Sequence, residues 1–108
     1  MTTAKSRRYQ LVLQFRTSDT ADFDTLVAFE ERLIAHLGSS AKVDGHDFGS
    51  GELNLFLLTD APLETAQAAE ELRRTIVPSY EPVVAYRELT GETYFVLSPP
   101  GYTDFGIA

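Results

Sequence analysis

Phe48-Gly49-Ser50-Gly51-Glu52-Leu53-Asn54-Leu55-Phe56-Leu57-Leu58-Thr59 is the stretch on which the fold turns. Residues 52–59 read as a strand with two substantially apolar sides, because Leu53, Leu55 and Leu57 alternate with Asn54, Phe56 and Leu58. Gly49-Ser50-Gly51 supplies the positive-φ positions of a tight hairpin, and a weaker, more polar strand is expected before it over 41–48. What flanks this hairpin decides the architecture.

On the N-terminal side, Tyr9, Leu11, Leu13 and Phe15 alternate with Gln10, Val12 and Gln14, the period of a half-buried strand. Thr17-Ser18-Asp19-Thr20 offers helix caps, after which Phe23, Leu26, Val27, Leu33, Ile34 and Leu37 recur at three- and four-residue spacing. An amphipathic helix over 23–37 follows, ended by Gly38. On the C-terminal side, Thr59-Asp60-Ala61-Pro62 opens a second helix over 63–76, where a short oxygen-bearing side chain caps free amides and Pro occupies the first turn. Beyond Pro78, residues 82–89 and 92–98 form two further strands around Thr90-Gly91.

The order is β-α-β-β-α-β with an added strand. It predicts an α+β ferredoxin-like sandwich: an antiparallel sheet, two helices on one face and an extra C-terminal strand. A length of 108 residues suits one domain over 1–108, with 1–6 and 99–108 as flexible or docked termini. Such a chain buries roughly two-thirds of its unfolded surface.

Composition narrows the function classes. There is no Cys, which excludes disulfides, thiolate metal sites and cysteine nucleophiles. Nine basic against sixteen acidic residues give a formal charge of −7, a poor surface for nucleic acid, whose binding rests on Lys and Arg neutralising phosphate. Lys5, Arg7 and Arg8 precede an apolar stretch, but residues 9–16 alternate with polar side chains and lack the continuous core of a signal peptide. No run approaches the roughly 18 apolar residues of a membrane span. A cytoplasmic protein without membrane or nucleic-acid partners is expected.

Residues 44–54 are where ionisable groups and glycines crowd beyond what a hairpin requires. A three-residue loop at Gly49-Ser50-Gly51 sets His46 opposite Asn54 and Asp44 opposite Phe56, gathering Asp44, His46, Glu52 and Asn54 on the face away from the helices; a two-residue turn changes the pairing. Read functionally, His46 is an acid–base group oriented by Asp44 or Glu52, or the three are ligands of a divalent cation. Read structurally, Gly and Asp make the turn and the acids protect an edge strand. The ligand spacing of defined metal motifs is absent, so no metal or cofactor is expected. The glycines join strand to strand, which excludes a phosphate loop, since that loop needs a helix N-terminus behind it. His36 lies in the last turn of the first helix, where a cation suits the helix dipole. Tyr86 is assigned to the open face and Arg87 to the helix side or the sheet edge, with an acid such as Glu30 or Glu71 as its partner, while Glu70 and Arg74 read as a surface i,i+4 pair.

The run 45–56, with Thr59-Asp60, Ala85-Tyr86-Arg87 and Pro99-Pro100, looks like a group of small uncharacterised bacterial proteins of βαββαβ order. That resemblance implies the fold and no activity or site residue. A topological likeness to dimeric ferredoxin-like domains, among them antibiotic-biosynthesis-type monooxygenases and small-ligand sensors, is analogy. The leading functional expectation is a small non-enzymatic binding or protein-interaction domain, with Asn54, Phe56 and Tyr86 touching the ligand; the alternative is a small dimeric enzyme or ligand-binding domain built on the hairpin. Two helices cover one sheet face, so Phe56 and Leu58 need a cover, expected to be a homodimer partner with Tyr86 among its contacts or else the chain's own Tyr102, Phe105 and Ile107.

Overall fold

The computed structural model describes residues 7–102 and 105–107. Its elements run β1 (Tyr9–Arg16), α1 (Thr20–Leu37), β2 (Lys42–Gly49), β3 (Glu52–Thr59), α2 (Pro62–Ile76), β4 (Val83–Glu88) and β5 (Phe95–Ser98). One antiparallel sheet orders the strands β2-β3-β1-β4-β5. This is an α+β fold with two helices, compatible with a ferredoxin-like sandwich. No helix among the described residues is long and apolar enough to cross a membrane.

The odd-numbered side chains of β1 and β3 make the core. Leu11, Leu13, Phe15, Leu53, Leu55 and Leu57 are at most 1% exposed and cluster with Leu26, Phe29, Leu33 and Leu37 of α1 and with Ala66 and Ala69 of α2. Phe15 and Phe29 meet edge to face at 6.2 Å, a geometry in which the ring edge of one meets the π-face of the other.

Helix α1 starts at Thr20, earlier than the apolar spacing predicts, because the Asp19 side chain accepts from the Asp22 amide and organises the first turn. Gly38 closes it at φ 55° and donates to Ile34, with His36 exposed in the last turn. The start of α2 corrects the capping expectation. Its N-cap is Ala61, which makes no side-chain cap; Thr59 Oγ1 instead accepts from the Ala61 amide at 2.9 Å and meets Thr65 Oγ1 at 2.7 Å. Strand β5 begins at Phe95, shorter than expected, with a register irregularity against β4 between Val84 and Ala85.

The hairpin register is corrected as well. Gly49 pairs with Glu52, so the turn holds two residues, Ser50 at φ 54° and Gly51 at φ 76°. Two successive positive φ values match the twist of an antiparallel pair, which a three-residue loop built on a type I turn does not do in the same span. Phe48 then faces Leu53 and His46 faces Leu55. A bulge follows: Val43 pairs with Leu57, so three residues of β2 advance against two of β3, and Gly45 takes φ 88° within it.

Candidate functional site

Parity now decides which expected site residues meet. His46 opposes Leu55, a core residue, so the imidazole lies on the helix side, where Nδ1 is 2.9 Å from Glu30 Oε1 of α1. Phe23 packs on it edge to face, with ring centroids 5.6 Å apart, and meets Phe48 at 4.7 Å. The expected cluster of His46 with Asp44, Glu52 and Asn54 on the open face does not form. Asp44 is exposed beside Lys42 at 3.9 Å, whereas Glu52 and Asn54 lie on the open face. Among the described residues no three His, Asp or Glu side chains converge as a metal site.

Tyr86 is likewise corrected. It opposes Leu11 and borders the core between Tyr9, 5.9 Å away edge to face, and Phe95, 5.5 Å away. Arg87 takes the open face instead: Nε donates to Gln10 Oε1 at 3.0 Å, Nη1 donates to the Gly91 carbonyl at 3.1 Å, and the guanidinium sits 5.8 Å from the Tyr94 ring. Neither Glu30 nor Glu71 is its partner.

The open face carries a polar row across its centre. Gln14 Nε2 donates to Asn54 Oδ1 at 3.0 Å and to the Gly106 carbonyl at 2.9 Å, with Glu52 Oε1 at 3.4 Å. Phe105 packs on Tyr94 at 4.9 Å, and the Tyr94 hydroxyl donates to Gln10. Gln10 and Gln14 flank Val12 on this side, so the C-terminal segment crosses the sheet there, and Val12 and Ala85 are fully buried although no helix covers them. Phe56 and Leu58 stay half-buried.

At the Arg16 end of β1, where Phe15 of the core side and Gln14 of the open side both reach the wall, lies a cavity of about 440 Å³, whose walls also include Arg16, Glu52, Tyr80, Glu81 and Tyr102. Sequence patterning singles out Glu52 but not Arg16 of β1, nor Tyr80 and Glu81, which are neighbours in the loop after α2. The loop after α2 is held in place by Arg73, whose Nη1 donates to the Tyr80 carbonyl at 2.8 Å. The expected Glu70–Arg74 surface pair is replaced by a largely buried Glu70–Arg73 pair at 2.8 Å.

Tyr80 is fixed from the other side by Asp22. Its hydroxyl donates to Asp22 Oδ1 at 2.6 Å, and Asp22 Oδ2 accepts from the Ser18 amide at 2.7 Å. The Tyr80 hydrogen bond, followed by those from Ser18, holds the Asp22 carboxyl below its ordinary value of 3.8. The same bond, with burial and the carboxylate's charge, raises the Tyr80 phenol above 10.0. A depressed carboxyl pKa stabilises the fold above its unfolded value and loses that effect as pH falls through the folded one; a raised phenol pKa stabilises below its unfolded value and loses the effect as pH rises through the folded one. The stability difference between the parent and Tyr80→Phe is therefore expected to be largest at neutral pH and to shrink below about pH 3.8 and above about pH 10. Urea midpoints across that range check it; a difference independent of pH would refute the linkage.

A scan against protein-family models finds no match, and no curated protein matches the chain.

Proposed function

We propose that this chain is a non-enzymatic ligand-binding domain, a ferredoxin-like sandwich of the cytoplasm whose site is the cavity at the Arg16 end of β1. The cavity itself is the observation that carries this reading. Its volume falls within the range of small-molecule sites, and four segments bring charged and aromatic side chains to it. The groups that a hairpin-centred catalyst would have used are separated, with His46 on one side of the sheet and Glu52 and Asn54 on the other.

A small-molecule screen by thermal shift, followed by amide-shift mapping, tests the proposal. Hits are expected to move amides of Glu52, Tyr80 and Val83, residues that line the cavity. A screen in which no compound class moves those amides, while cell extract yields a protein partner bound elsewhere, would overturn it. The enzyme alternative draws on the Glu30–His46 contact, a carboxylate-oriented imidazole. Conversion of a screening hit that is lost in His46→Gln would favour that alternative.

A homodimer through the half-buried Phe56 and Leu58 is part of the proposal, because the C-terminal segment covers Val12 but leaves these two partly open. Sedimentation of the full chain at micromolar concentration as a monomer would remove it.

A further inference from the structure

Charge around the cavity is mixed and incompletely paired. Arg16 and Glu52 are direct cross-strand partners of opposite charge, yet they form no ion pair. Among the described residues the side chains of Arg16 and Glu81 make no hydrogen bond or ion pair at all. Glu52 is half-buried, and among the described residues its only side-chain hydrogen bond is from Gln14 Nε2 at 3.4 Å. That amide group has two hydrogens and already serves Asn54 and Gly106 at 3.0 and 2.9 Å, so the longest contact is the one left without a proton. A half-buried carboxylate without a full donor is a place where a cation binds favourably.

Resting on the binding reading above, we infer that the cavity takes a basic α-amino acid, its carboxylate on Arg16 and its two cationic groups on Glu52 and Glu81. One guanidinium and two carboxylates leave the wall one negative charge in excess, and a ligand with one carboxylate and two cations cancels it. A planar guanidinium meets a carboxylate in a two-pronged pair. Tyr80 and Tyr102 supply ring faces for the aliphatic stem and for the side-chain cation. A simple diamine would leave Arg16 unpaired, and a dicarboxylate would leave both glutamates facing like charge.

Amide-shift titration of the full chain with L-lysine, L-arginine, putrescine, succinate and glucose tests the assignment. Lysine or arginine is expected to shift Glu52, Tyr80 and Val83, and putrescine to bind about tenfold more weakly or less, as the loss of one charge-assisted pair implies. Arg16→Gln should bring lysine down to the putrescine level, and Glu81→Gln should weaken lysine by a similar factor. Both side chains are exposed, so the variants keep the fold, which an unchanged spectrum away from the cavity verifies. If succinate or glucose shifts the cavity amides and lysine does not, the ligand class is wrong and the cavity reading stands. If none of the five shifts them and a wider screen also fails, both fall.

Discussion

Arg73→Ala is expected to cost about 3 kcal/mol of stability, because it removes one partner of a largely buried ion pair and leaves the other behind. Arg73 is 5% exposed, and its Nε donates to Glu70 Oε2 at 2.8 Å. Nη1 points at the carbonyls of Val77, Pro78 and Tyr80, at 3.5, 3.4 and 2.8 Å, where the chain has left α2 and its carbonyls have lost helical partners. The Glu70 carboxylate, 12% exposed, would then stand in a poorly solvated place without a cation. The same substitution releases the loop that carries Tyr80 and Glu81 to the cavity, so ligand affinity should fall with stability. Arg73→Lys should recover only part of the loss, since an ammonium cannot reproduce the planar fork. Urea denaturation gives the number, and a cost below about 1 kcal/mol would show that the carbonyls find water instead.

The second large effect is expected at Phe29→Ala, at about 3–5 kcal/mol, the range for deleting a fully buried aromatic ring. Phe29 has no exposed surface and joins α1 to β1 through Phe15. The cavity left there is walled by Leu and Phe side chains on both layers, which can close only by moving the helix. Against a total of about 5–15 kcal/mol for a domain, the loss is large enough to show as partial unfolding at room temperature. Phe48→Ala provides the contrast. Its ring is 47% exposed, so its removal should cost well under half as much. Equal losses at the two positions would contradict the assignment of Phe29 to the core.

Both variants probe features that differ in how far local sequence reveals them. Phe29 lies on the apolar stripe of α1, which three- and four-residue spacing makes visible. Arg73 looks like one more charged residue on an amphipathic helix. Its buried role depends on where Pro78 sends the chain and on which carbonyls that turn leaves open, and no periodicity encodes this.

The site was less legible than the fold for the same reason. Glu52 and Asn54 were assigned to the open face correctly, since β3 alternates without interruption from Leu53 to Leu58. Local sequence puts Tyr86 on the wrong face because β4 is short and apolar on both sides, Val83, Val84 and Ala85 offering no contrast from which to read parity. Arg16, Glu52, Tyr80 and Glu81 come to one cavity only after β1, β3 and the loop behind α2 have been brought to one end of the sheet.

By itself the sequence determined the elements, their order and the two-sided apolar character of β3, because those follow from interactions within a few residues along the chain. Tertiary structure alone decided the hairpin. Gly45, Gly49 and Gly51 permit positive φ at three places, so local chemistry allows either turn length and either bulge position. Docking against α1 selects among them: Phe48 reaches Phe23, and His46 reaches both Phe23 and Glu30, only when Ser50-Gly51 makes the turn. In a strand the side-chain period is two, so a shift of one residue carries an imidazole from one side of the sheet to the other and breaks up the hairpin cluster that the three-residue loop predicts.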